Sequence, residues 1–227
     1  MKLILTCEHG GNEIPPDYLP LFETAKQVLD SHRGYDPGAL DLFKALQDLA
    51  WFQKFHTVSR LLVELNRSLH HPQLFSEFTK KLPSEEKKKI LKEYYFPYRS
   101  AVEDHIQKCL FRGENVLHLS IHSFTPQLNG EVRNADIGLL YDPAREAEKE
   151  ICTRLRSLLL QENRALKIRF NYPYRGKADG FTTYLRKKFP SNYAGIEIEV
   201  NQKYVENDHL ESRLKNAFHK AVSEIIK

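Results

Sequence analysis

The stretch "CEHGGNEIPPDY", residues 7–18, follows the apolar run "LILT" and places a histidine, two glycines and a glutamate at the exit of a short strand. Strand exits are where α/β proteins assemble their sites. Imidazole and carboxylate are ordinary zinc ligands. His9 and Glu13 stand four apart, and the glycines between them let the backbone turn both side chains towards one point. A plain surface turn accounts for the same residues. "NVLHLSIHSF", residues 115–124, reads as a strand with Leu117, Leu119 and Ile121 on one face and His118, Ser120 and His122 on the other. His122 lies at the carboxyl end, where it can meet His9 above the sheet, and His118 reads as a hydrogen-bonded core histidine. Two histidines and a carboxylate leave an open position on zinc, the pattern of hydrolytic zinc sites.

Two further stretches carry chemistry. In "SRLLVELNRS", residues 59–68, Arg60, Asn66 and Arg67 bracket an aliphatic run. Arginine grips a carboxylate with two parallel hydrogen bonds and asparagine adds a donor; structural ion pairs are the alternative. In "YAGIEIEVNQ", residues 193–202, Glu197 and Glu199 share one face of a strand flanked by isoleucines. A buried carboxylate is costly, and burial raises its pKa towards the range that suits a general base. Pairing with a lysine or arginine across the strand is the alternative.

The elements that must position these residues alternate. Strands are expected at 2–7, 55–65, 115–122, 136–141, 166–171 and 194–200, from short β-branched and aliphatic runs. Helices are expected at 37–52, with Leu40, Phe43, Leu46 and Leu49 in register, at 84–112, at 143–163 and at 208–226. Ser84 would cap the second helix, with Glu85 and Glu86 in its first turn, and Asp142 would cap the third, with Pro143 at its first position. Strands alternating with helices predict an α/β fold: one domain over 1–227, a sheet covered on both faces.

Composition narrows the function classes. The chain has 227 residues, 41% hydrophobic and 28% charged, which is ordinary for a globular protein. A net charge of +4 on 34 basic and 30 acidic residues argues against a nucleic-acid binder. Cys7, Cys109 and Cys152 form no CxxC and read as free thiols of a reducing compartment. The start of the chain lacks a signal-peptide core and no window approaches the roughly 18 apolar residues of a membrane span. The expectation is a cytoplasmic protein with no membrane partner.

Taken in order, "EHGGNEIP", "HRGYDPGA", "SRLLVELNRS", "HSFTP" with "RNADIGLLYD", and "GIEIEVNQ" run from residue 8 to about residue 205. This order resembles the N-formylglutamate amidohydrolase family and, more widely, zinc carboxypeptidases and acylamino-acid deacylases. The resemblance implies a mixed, mostly parallel sheet of zinc-exopeptidase type. It implies hydrolysis of the amide of an N-acyl amino acid, such as N-formylglutamate, or of a peptide-like amide. His9, Glu13 and His122 would hold the Zn2+, with another divalent metal able to fit the same donors. The wider group spaces its first pair as His-x-x-Glu, one residue closer than here, which makes Asp36 the alternative carboxylate. Asn66 and Arg67 would bind a substrate carboxylate, Arg60 would polarise the scissile carbonyl, and Arg133 would line the pocket. Glu199 would be the catalytic base, with Glu197 the fallback. Lys177 and Asp179 in "RGKADG" would sit on a loop able to close over substrate.

Two rivals make different expectations. Cys7 beside His9 could be a thiolate nucleophile. Alternatively the charged 84–112 helix could serve a partner on a fold that does no catalysis.

Overall fold

The computed structural model describes residues Met1–Lys227. The strands are β1 (Lys2–Cys7), β2 (Phe52–Phe55), β3 (Val116–Phe124), β4 (Gln127–Leu128), β5 (Glu131–Val132), β6 (Ile137–Leu140), β7 (Ile168–Phe170), β8 (Tyr193–Asn201), β9 (Val205–Glu206) and β10 (His209–Leu210). The α-helices are α1 (Lys26–Leu29), α2 (Ala39–Leu46), α3 (Ser84–Ile90), α4 (Phe96–Phe111), α5 (Glu146–Glu162), α6 (Phe181–Lys188) and α7 (Ser212–Ile226).

Six strands form one sheet in the order β2-β1-β3-β8-β6-β7. β2, β1, β3 and β8 run parallel, and β6 pairs antiparallel with β8 and parallel with β7. The sheet is therefore mixed and mostly parallel, as expected. Period-two alternation splits its side chains into two cores. Leu3, Leu5, Cys7, Leu117, Leu119, Ile121, Ile196, Ile198 and Val200 pack under residues of α2, α5 and α7. The opposite face is covered by residues of α4 and α6 and by the chain around residues 18–25 and 61–74. No helix is long and apolar enough to cross a membrane.

The predicted strand over 55–65 is the largest correction. Only Phe52–Phe55 pairs with β1, and the chain then leaves the sheet. Leu61, Leu62, Val63 and Leu65 are all buried instead of alternating, because this run packs into the second core as a loop. Its carbonyls are satisfied by hydroxyls: Ser76 donates to Leu61 O (2.5 Å) and Thr79 to Leu62 O (3.1 Å). The 37–52 helix is shorter, ending as α2 with one 3-10 turn, Gln47–Leu49, before β2. The 84–112 helix is α3 and α4 joined by a π-turn, Leu91–Tyr95, just ahead of Pro97, which has no N–H to continue the ladder. Ser84 is the first helical residue and caps nothing. Asp142 holds a turn, accepting from Ala144 N (3.0 Å), and α5 starts only at Glu146. Helix α6 was not expected.

Candidate metal centre and substrate cleft

The site lies at the carboxyl ends of β1, β3 and β8, on the face away from α2, α5 and α7. Register brings its rows together: His122 pairs with Glu199, and Ser120 with both Thr6 and Glu197. His118, one pair below, is a core histidine as read from the sequence. It bonds Thr6 Oγ1 (2.8 Å) and Tyr193 OH (2.8 Å), and burial pushes it down to about 4, so it is neutral.

His9, Asp36 and His122 are buried together, and one donor atom from each lies within 4.8 Å of the other two. Asp36 Oδ2 faces His9 Nδ1 (3.2 Å) and His122 Nδ1 (2.9 Å). The loop that carries Asp36 is pinned to the exit of β1 by Asp36 N donating to His9 O (2.9 Å), and to the exit of β3 by Ser123 Oγ donating to Pro37 O (2.7 Å). Glu13 stands elsewhere. It is exposed, bridges Val58 through its backbone, and accepts from Thr57 Oγ1 (2.8 Å). The carboxylate between the two histidines is thus the alternative, Asp36, and not Glu13. The physical reason lies in the glycines. Gly10 N donates to His56 O (3.0 Å), and a Cβ on Gly11 would fall 2.6 Å from Thr57 O. The two glycines press this segment against residues 56–57 and do not fold it back over the sheet.

The outer nitrogens face two more acids, Glu64 at His9 and Glu8, which lies 3.3 Å from His122 Nε2. His9 Nε2 meets Glu64 Oε1 (2.5 Å). Burial pushes the Glu64 carboxyl up, but the charges of Arg60 and His9 outweigh it and hold it well below the usual range. An ionised carboxylate only accepts, so His9 Nε2 carries the proton that faces Glu64. Arg60 clamps the pair: Nε donates to Glu64 Oε2 (2.7 Å) and Nη1 to Asp36 Oδ1 (3.2 Å). The ionised Asp36 thus stands between the two Nδ1 atoms, whose protons a metal would replace. That is the electrostatic setting of a bound cation, and a set of two imidazoles and a carboxylate suits zinc or a similar divalent ion.

Glu199 borders this cluster. It is buried and its Oε2 has no hydrogen-bond partner. Burial, with Asp36 and Glu197 nearby, pushes it up to about 8 against the opposing charges of His122 and Arg60. Glu197 differs: it is half-buried and accepts from Thr182 Oγ1 (2.6 Å).

A cleft of about 620 Å³ opens over these groups, lined among others by His9, Asp36, Arg60, His122, Glu199 and Arg67. Asn66 and Arg67 both line it, but each also ties down the 175–180 loop. Asn66 Oδ1 accepts from Phe181 N (2.7 Å), Arg67 Nη1 donates to Asp179 O, and Ser68 N donates to Asp179 Oδ2 (3.0 Å). Asp179 is thus an anchor for that loop, and Lys177 leans to Asp142 (3.8 Å). Arg133 is not a lining residue. It reaches the rim through Tyr174, donating to Tyr174 OH (3.1 Å).

Glu64, Glu8, Ser120 and Arg175 escaped the sequence reading. Glu64 stands four residues after Arg60, an ion-pair spacing hidden inside an apolar run read as strand. Glu8 and Ser120 adjoin assigned residues, and Arg175 lines the cleft from an exposed position. The Cys7 alternative is overturned. Cys7 is fully buried among Leu3, Leu5 and α2, and burial pushes its thiol up, opposite to an activated thiolate.

A family model described as N-formylglutamate amidohydrolase matches residues 1–205. Among the curated proteins none matches significantly. Among solved structures, the gene product Atu2144 from Agrobacterium tumefaciens is 25% identical, with 100% of this chain and 92% of that one covered at a TM-score of 0.77. N-formylglutamate amidohydrolase from Ralstonia eutropha JMP134 is 17% identical, with 99% and 91% covered at a TM-score of 0.68, a likeness of fold.

Proposed function

The chain belongs to the N-formylglutamate amidohydrolase family, and from that premise we propose that it is a metal-dependent amidohydrolase that cleaves N-acyl amino acids, N-formylglutamate among them. The observation that carries this is the convergence of His9 Nδ1, His122 Nδ1 and Asp36 Oδ2 beside an unpartnered, buried Glu199 carboxylate. His9, Asp36 and His122 would hold the metal. A divalent ion there supplies a Lewis acid and a water acidic enough to attack at neutral pH.

The remaining steps belong to the protein. Glu199, close to the donor set and free of other bonds, would be drawn back into its ionised form by a divalent ion beside it, and so take the proton of the attacking water and return it to the leaving nitrogen. Glu197, held by Thr182, keeps the neighbouring strand position and is the lesser candidate. Arg60 is fixed by Asp36 and Glu64, and its remaining N–H groups can donate to the substrate carbonyl as charge develops on it. Arg67, Arg175 and the amide of Asn66 line the cleft and suit the carboxylate of an amino-acid substrate. Arg133 supports Tyr174 at the rim. Three buried, unpaired cysteines accord with a cytoplasmic setting.

Elemental analysis of the purified protein beside His122→Ala tests the reading first. About one divalent ion per chain is expected, absent from the variant, together with release of free amino acid from N-formylglutamate or another N-acyl amino acid. A protein that neither carries nor tightly binds zinc ends the proposal.

A further inference from the structure

Glu8 is the buried group that the proposed reaction leaves unused. It lies on β1's exit with its side chain fully enclosed and makes no contact with any lysine or arginine. Enclosing a carboxylate away from water is strongly disfavoured unless something holds it there. A glutamine of the same shape could occupy the space without that penalty. Its hydrogen bonds show what the charge arranges. Oε2 accepts from Ser120 Oγ (2.6 Å) and lies 3.3 Å from His122 Nε2. Oε1 lies 3.1 Å from the Tyr98 hydroxyl, which also approaches Lys54 O. Ser120 Oγ lies 2.9 Å from His122 Nε2.

A serine hydroxyl has one proton. A carboxylate cannot donate, so that proton goes to Glu8, and Ser120 oxygen must accept from His122 Nε2–H. The chain Glu8–Ser120–His122 has one polarity only. Nδ1, the atom that faces Asp36, is then the one nitrogen of His122 that can exchange its proton for a metal. We infer that Glu8 is a positioning residue that, through Ser120, fixes the tautomer and orientation in which His122 binds the metal. This rests on the metal site proposed above. It assigns to the dry interior of the sheet the role that Glu64 plays for His9 at the cleft.

The Glu8→Gln variant tests the charge. Its amide oxygen can still accept from Ser120 while its NH2 faces the Tyr98 hydroxyl, so the chain keeps its polarity but loses the negative charge behind it. The expected result is a folded protein with apo Tm near that of the unmutated chain and zinc binding weaker by about 10–100-fold in competition with a chromophoric chelator. Ring 15N shifts of His122 give a readout independent of catalysis: zinc on Nδ1 with a retained Nε2–H in the unmutated zinc-loaded protein. Ser120→Ala leaves Glu8 Oε2 to take the Nε2 proton directly and should weaken zinc only a few-fold. Unchanged zinc affinity in Glu8→Gln, or zinc on Nε2 of His122 in the unmutated protein, overturns the assignment. The second measurement stands even if Glu8→Gln does not fold. Failure of the unmutated chain to bind zinc would remove the metal site itself and this assignment with it. Zinc binding that ignores Glu8 would remove this assignment alone.

Discussion

The two faces of the sheet are built from the same strands and differ in what their alternate residues require. On one face β1, β3 and β8 contribute apolar side chains up to Ser123 at the end of β3, and the core above them contains a single buried tyrosine, Tyr141. On the other face the same strands present Thr6 and Glu8, His118 and Ser120 and His122, and Glu197 and Glu199. The core there holds four buried tyrosines, Tyr18, Tyr95, Tyr98 and Tyr193. Three of them answer polar groups: Tyr98 reaches Glu8, Tyr193 reaches His118, and Tyr95 donates to Arg67 O (2.7 Å). A tyrosine fills a core and also brings a hydroxyl to its edge. The site is therefore held by a face that mixes packing with hydrogen bonding, while the opposite face supplies apolar packing.

Substitutions on the two faces should accordingly fail in different ways. The largest effect is expected from Asp36→Ala on the polar face. It removes the carboxylate between His9 and His122 and leaves Arg60 half unpaired. Zinc affinity should fall by more than the roughly 10–100-fold that follows loss of an outer hydrogen bond to a ligand, and hydrolysis should drop to background. Chelator competition reads the first and product release the second; retained zinc would return the ligand question to Glu13. Next is Glu199→Gln, which keeps the donor set. Zinc content should be unchanged and kcat lower by about 10²–10⁴. Near-normal turnover would move the base to Glu197.

These predictions concern residues that were unequally legible in the sequence. His122 was visible because a strand has period two and the histidine stands at its end. Glu199 was visible because an acid between isoleucines asks for a reason. The sheet and most of its strands followed from the same periodicity. Asp36 appeared only as an alternative, since nothing local in "HRGYDPGA" says that its loop is tied to His9 O. Glu64 was hidden because four apolar neighbours made its segment look like a strand, and a buried loop and a buried strand look alike in an apolar run. Which atom of His122 faces the metal depends on Ser120 and Glu8 acting through space, and spacing alone carries no such information.

On the apolar face, Ile198→Ala lies between Glu197 and Glu199 in sequence but points into the opposite core. It should lower unfolding free energy by about 2–5 kcal/mol, seen as a reduced denaturant midpoint. The folded fraction should keep its zinc affinity and its kcat. A loss of zinc affinity comparable to that of Asp36→Ala would mean that the two faces are not separable, and that packing beneath the strand sets the geometry above it.

The smallest effect is expected in the stretch that first suggests a metal. Glu13 is exposed, and its carboxylate meets only the Thr57 hydroxyl. Glu13→Ala should change stability by no more than about 0.5 kcal/mol and leave zinc binding where it was. Two residues earlier the outcome reverses. A methyl group on Gly11 would sit 2.6 Å from Thr57 O and 3.0 Å from Thr57 Cα, both backbone atoms that cannot swing aside. Gly11→Ala must push residues 56–58 away from the exit of β1, and with them the start of the loop that carries Arg60 and Glu64 to His9. Its zinc affinity should therefore fall although it touches no ligand. In "EHGGNE" the histidine faces the donor cluster, the glycine sets how closely the next loop approaches, and the second glutamate is spare. Comparing the two variants by chelator competition separates that reading from one in which His9 and Glu13 act as a pair.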